Sequence, residues 1–288
     1  MKPIIPLLFA ILPLIATAQN LSVSPFFTSS KGLLSTTWHS TNDHTFVTID
    51  TSITKYSGES TNISLGAGNR YGVNIEKKYR DLISFGLSLS YFSSKDVPLL
   101  CTSKAEYDPY SAYNLSFTTT DIYKNKSFDL GIYSNFIIFN KSTAPYVKTG
   151  LIFSFSKYTL DREVYIFNNI PGYYPTERYN YNYKISPSFH YGFTGAAGIE
   201  TGRNKTISLY AEIYSVFMNV SPTKQICTSK TWNSEDQFET MTTSDKETIF
   251  VESYSEDDNK NEDEPTKKLK YNQSFCSIGL QAGVKIHF

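Results

Sequence analysis

The chain is predicted to be all-β, an eight-stranded antiparallel up-and-down transmembrane β-barrel. Three observations predict this. Apolar residues recur at every second position in run after run, the connections between runs alternate between short and long, and the chain opens on a secretory leader. The hydrophobic content is 40% and the formal net charge is zero, so neither composition nor charge demands a helical membrane protein or a polyanion-binding one.

Met1 and Lys2 form a short positive start, residues 3–15 an apolar stretch broken by prolines, and Ala16-Thr17-Ala18 a small-x-small cleavage site. Residues 1–18 therefore read as a signal peptide, with 19–288 as the exported domain. The apolar stretch falls short of the roughly 20 residues a spanning helix needs. No cysteine lies near the cleavage site to carry a lipid anchor. After Gln19 there is no long apolar run, which excludes helical spans but not strands, where only alternate residues must be greasy.

The C-terminal stretch shows the pattern most clearly. Ile278, Leu280, Ala282, Val284, Ile286 and Phe288 alternate with Ser277, Gly279, Gln281, Gly283, Lys285 and His287. The same period runs through 63–76, 83–91, 128–138, 147–156, 189–200 and 207–214. In the first of these, Ile63, Leu65, Ala67, Tyr71, Val73 and Ile75 are expected on one face. Between the runs, 79–81, 140–143 and 202–205 are short, whereas 96–116, 161–182 and 222–273 are long. Outer-membrane barrels have short periplasmic turns and long extracellular loops, so Phe288 is expected at the periplasmic side. Counting back from there requires an ascending first strand. Leu21, Val23, Pro25 and Phe27 can supply it, with 46–56 as a rival and 32–60 as the first external loop.

The apolar faces are almost free of charge. The opposite faces hold Arg70, Glu76, Asp129, Lys148, His190, Glu200, Glu212 and Lys285. Periodicity alone does not say which face is inside. The leader and the aromatic end favour lipid outside and a charged lumen, in which acids and bases must pair. An eight-stranded lumen is only wide enough for side chains, so a filled plug is expected rather than an open channel. The 22 Tyr and 20 Phe suit aromatic girdles at the membrane surfaces.

These elements resemble the small eight-stranded outer-membrane barrels of the OmpX-like and OmpA-transmembrane-domain class, and a porin-like outer-membrane β-barrel family. The segments that carry the likeness are S-L-G-A-G-N-R-Y-G-V-N-I-E with L-I-S-F-G-L-S-L-S-Y-F, then G-F-T-G-A-A-G-I-E, then T-S-D-K-E-T-I-F-V-E-S-Y leading into F-C-S-I-G-L-Q-A-G-V-K-I-H-F. They are patterns over residues 56–288, specific for fold and uninformative about activity. The resemblance implies a place in the bacterial outer membrane, contact with outer-membrane lipids and lipopolysaccharide, and a Phe288 end read by the barrel-assembly machinery. It implies no nucleic-acid partner.

No hydrolase or phosphate-loop motif is present. His39 and His44, near Trp38, Ser40 and Asp43, are the one cluster that could bind metal or act as a base in a lipid-modifying barrel enzyme. The expectation is instead a non-enzymatic protein with no catalytic, cofactor-binding or metal residues and no cofactor. It would act through its loops in binding, adhesion or envelope integrity, with an extracellular protein or surface ligand as partner and a narrow channel as a further alternative. The last loop carries an acid-rich block, 256–264, followed by Lys267, Lys268 and Lys270, and reads as solvated. Tyr165, Tyr173, Tyr174, Tyr179, Tyr181 and Tyr183 are assigned to the outer girdle in preference to a binding surface. Cys101, Cys227 and Cys276 fall on the external side, and a Cys227–Cys276 disulfide at the base of the last loop is one possibility.

Overall fold

A computed structural model describes residues 20–33, 36–38, 61–107, 113–139, 141–168, 176–187, 189–203, 205–255 and 259–288. In chain order the elements are β1 (Leu21–Gly32), β2 (Thr36–Trp38), β3 (Thr61–Ile63), β4 (Gly68–Arg80), β5 (Ile83–Ser94), β6 (Val97–Tyr107), β7 (Tyr113–Ile137), β8 (Thr143–Asn168), β9 (Thr176–Pro187), β10 (His190–Thr201), β11 (Ile207–Val220), β12 (Pro222–Trp232), β13 (Glu235–Asp236), the one-turn helix α1 (Thr243–Lys246), β14 (Glu247–Val251), β15 (Thr266–Leu269), β16 (Gln273–Ser274) and β17 (Ser277–His287). No described helix is long and apolar enough to cross a membrane.

Eight of these strands form a ring. β1, β4, β5, β7, β8, β10, β11 and β17 pair antiparallel, each with the next, and β17 returns to β1 from Ser22↔His287 to Gly32↔Ser277. The first strand is thus Leu21–Gly32; its rival at 46–56 lies outside the described residues, as do the leader, His39 and His44. One end of the ring is drawn tight by short turns at 81–82, 138–142 and 202–206. Gly202 adopts φ +81° there, a conformation that costs glycine little. Arg203 donates to the Asp81 carbonyl at 2.8 Å and ties two of these turns together.

At the other end the long connections are folded. β7 and β8 outrun the ring and stay paired with each other as far as Leu115↔Asn168. β6 adds to the free side of β7, and β9, β12, β14 and β15 extend the far side of β8. Residues 97–107, 113–116, 161–168, 176–182 and much of 222–273 are therefore a sheet continuous with the ring rather than irregular loops. The alternation Tyr179-Asn180-Tyr181-Asn182-Tyr183 is the sequence signal for this extension.

Within the ring the faces are inside out. Leu280 is 72% exposed on the outer wall, while Asp129 is fully buried inside. Phe27, Tyr71, Leu87, Ile132, Leu151 and Phe193 all point outward and are exposed. Lumen packing follows a simple rule: a large inward side chain lies across from an inward glycine on the neighbouring strand. Phe26 faces Gly72, Tyr133 faces Gly86 and Tyr210 faces Gly283. A Cβ on Gly86 would lie 2.3 Å from the Tyr133 ring. Alternating large and small residues in this way fills a narrow lumen.

Two expectations are corrected. Ile63, Leu65 and Ala67 do not continue the outer face of β4. Ile63 belongs to β3, and Leu65 is fully buried in a turn. Ser30 Oγ donates to the carbonyls of Gly66 and Gly68, and Leu65 N donates to Ser274 O, so the chain crosses the mouth of the ring and tucks Leu65 inside. The backbone passes so close that a Cβ on Gly66 would sit 2.6 Å from Cys276 O. Cys227 and Cys276 form no disulfide; both are free and buried. The reason is distance along one strand line: β12 continues β11 beside β9, which continues β10, so Cys227 sits beside Tyr183, nine residues beyond the Met218 carbonyl that Cys276 meets.

Gly86→Leu is expected to force the Tyr133 ring out of its place and to destabilise the ring by about 1–3 kcal/mol, the usual cost of overpacking. The shift in the urea midpoint of the protein folded in lipid vesicles measures it.

Candidate functional site: the luminal network and its cap

The inward face of the ring stacks four layers. Nearest the tight turns, Lys285 Nζ bridges Glu76 Oε1 at 3.1 Å and Glu200 Oε2 at 3.0 Å. β17 brings the cation, while β4 and β10 bring the carboxylates from either side. Glu76 also accepts from Ser84 Oγ at 2.6 Å and Asn135 Nδ2 at 3.2 Å; Glu200 accepts from Ser208 Oγ at 2.8 Å and has His287 Nε2 at 3.2 Å.

In the next layer Glu212 accepts from Tyr146 OH at 2.6 Å, Lys148 Nζ at 2.8 Å and Gln281 Nε2 at 2.6 Å. Gln281 Oε1 in turn accepts from Thr28 Oγ1 at 2.7 Å. The Lys148 ammonium lies over the rings of Tyr133, Tyr146 and Tyr210, a cation–π cage that replaces lost hydration. The third layer is Asp129, which accepts from Arg70 at 2.8 Å and Ser154 Oγ at 2.6 Å, with the guanidinium over Phe92 and Tyr214.

Above Asp129 the lumen turns apolar. Leu65, Phe92, Tyr123, Tyr158, Val216, Met218, Val220 and Phe275 form one buried cluster, with Phe275 edge-on to Phe92 at 5.1 Å. The sequence pattern hides this cap, because its members sit on faces classed lower down as polar. The only warning is that inward positions such as Tyr158, Leu160, Met218 and Val220 become greasy as the outward ones lose that character.

Space within the charged layers is slight. The cavity bordered by Asn74, Lys148, Glu212 and Gln281 holds about 30 Å³, room for about one water. Chemically the arrangement can neutralise and brace buried charge; the larger space, about 340 Å³ bordered by Glu76, Ser84, Lys285 and His287, lies at the tight-turn end of the first layer.

The sheet beyond the ring carries a second feature. Tyr179, Tyr181 and Tyr183 on β9 stack in file at 6.4 and 5.9 Å, and Trp232 of β12 continues the file at 6.5 Å from Tyr179. They share the face of the buried Ile185 and lie beyond the apolar wall, so they do not belong to a girdle around it. Tyr173 and Tyr174 lie outside the described residues. On the same sheet Arg162 pairs with both oxygens of Asp121 at 2.7 and 2.8 Å. That hydrogen bonding outweighs burial and raises the guanidinium pKa. The Glu177 carboxylate, accepting from Tyr179 OH, pushes that phenol up to about 12.

No protein-family model matches the chain, and no curated protein is similar to it.

Lys285→Met removes the one cation shared by two buried carboxylates. A loss of about 3–5 kcal/mol is expected. Adding Glu76→Gln and Glu200→Gln to the same chain should restore much of it, because the orphaned charges are then gone. Urea unfolding of the single and triple variants in lipid vesicles tests the pair of outcomes.

Proposed function

We propose that the protein is an integral outer-membrane β-barrel, closed to bulk flow and without catalytic activity, that presents the sheet beyond its ring to the cell exterior for binding or envelope integrity. The observation that carries this reading is the inversion of faces: salt-bridged Arg70, Glu76, Asp129, Lys148, Glu200, Glu212 and Lys285 are inside the ring, and exposed Leu, Ile, Val, Phe and Tyr are outside it. In water, that outer wall would be far larger than the apolar patches soluble monomers tolerate. In a bilayer it is the required surface, and a ring leaves no backbone edge unpaired.

The dimensions agree. Along β7 and one residue past it the outward row Phe128, Leu130, Ile132, Phe136 and Ile138, broken by Ser134, spans about ten residues at roughly 3.4 Å each. At the usual tilt of about 40° this gives a band of roughly 25 Å, the height of such barrels' apolar belts. The tight-turn end faces the periplasm and the sheet faces outward. The apolar cap and the three charged layers beneath it support a sealed lumen. The stacked file of Tyr179, Tyr181, Tyr183 and Trp232 supplies polar-tipped rings of the kind favoured at interfaces.

The purified protein is expected to migrate differently on gels when boiled and unboiled, and to give no stable open conductance in planar bilayers. A single mobility, or a reproducible large-conductance step, would overturn the respective half of the reading. Lipid A acylation in cells should be the same with and without the protein, and unchanged by His39→Ala or His44→Ala.

A further inference from the structure

The outer wall changes character abruptly along two paired strands. On β7 the outward row passes from Phe128 to Lys126, and on β8 from Phe155 to Lys157. Lys126 and Lys157 are direct cross-strand partners on this face. Like charges placed opposite each other weaken a sheet. Lys124, one outward position further on, is neutralised by Asp161 at 3.1 Å and Asp96 at 3.7 Å. Lys126 and Lys157 are exposed, and no described carboxylate lies within ion-pair distance of either. Lys184 of β9, opposite Thr159 and also exposed, adds a third positive charge nearby.

Directly below the lysines is a recess of about 630 Å³. It lies where the β9–β10 side of β8 shifts register by one residue: Tyr158 pairs with Ile185 of β9 and Ser154 with His190 of β10, in one continuous direction. Pro187 and Phe189 border the recess at this irregularity of the ladder, which loosens the seam. Tyr91, Phe128, Phe155 and Phe189 line the recess, with Phe189 5.6 Å from Phe155, and Lys124, Lys126 and Lys157 stand at its rim.

We propose that this seam binds the phosphate-bearing headgroup of an acylated glycolipid of the outer leaflet, resting on the assignment of the ring to the outer membrane. Two unneutralised ammonium groups side by side match a phosphate monoester, which lysines bind as point charges. The aromatic recess beneath them receives the first part of an acyl chain. The lysines occupy the row where the apolar wall ends, at the depth of lipid phosphates. Occupation would also relieve the repulsion that the free protein carries.

The test uses the full exported chain refolded in detergent micelles and first shown to be heat-modifiable, with native mass spectrometry reading bound lipid. Bis-phosphorylated lipid A is expected to bind at least tenfold more tightly than its dephosphorylated form. K126Q/K157Q should lower the affinity for the phosphorylated form at least tenfold. Without lipid this variant should melt no lower than the parent chain, since it removes repulsion. Lipid A should raise the melting temperature of the parent chain and leave that of the variant unchanged. Equal binding by parent and variant, indifference to the phosphates, or full displacement by millimolar inorganic phosphate would overturn the proposal. Absence of heat-modifiable migration would instead sink the barrel reading on which it stands.

Discussion

Closure of the ring is the constraint on which everything else depends. Leu21–Gly32 and Ser277–His287 are far apart in the chain, yet they pair along most of their length. Without that pairing, two strands would each present a row of unsatisfied amides and carbonyls. In hydrocarbon such a row is prohibitive, because no water is available to satisfy it. Closure also sets the width of the lumen, and the width decides what can lie inside: side chains filling the bore, rings laid over glycines, and charges close enough to share partners.

The charged layers follow from that narrowness. Every carboxylate inside is met by a cation or several hydroxyl and amide donors, and those donors come from strands on different sides of the bore. Lys285 holds β4 and β10 through β17; Glu212 gathers β8 and β17. Such pairs are expensive to bury and more expensive to break. They act here as cross-braces, fixing the register of strands whose outward side chains are exposed and so discriminate weakly between registers.

Much of this was legible in the sequence. Alternation located all eight ring strands, including the weak first one, and assigned Arg70, Asp129, Lys148, Glu212 and Lys285 to a common face. Short and long connections placed the two ends. What period two could not show was where a single strand reverses its meaning. β7 and β8 keep the same alternation throughout, but Asp129 and Tyr123 are both inward, the one needing a salt bridge and the other packed in grease. The cap depends on Leu65 and Phe275, which enter the ring from connecting segments: Leu65 sits in an alternating run that assigned it to the outer face, and Phe275 in none. The disulfide expectation failed on height: β12 continues the line of β11 past the end of β17, so Cys227 lies nine residues beyond Met218, where Cys276 sits.

The length of β7 and β8 has a mechanical consequence. Their ladder passes from the ring into the outer sheet without a break, from Ile137↔Tyr146 to Leu115↔Asn168. There is no joint between the two parts along this line, so the hairpin stands like a mast stepped into a hull. The Tyr179–Trp232 file therefore stands on a platform whose tilt is set by the wall below it. Any pull on that platform is borne by backbone hydrogen bonds loaded along the strands and delivered into the braced lumen.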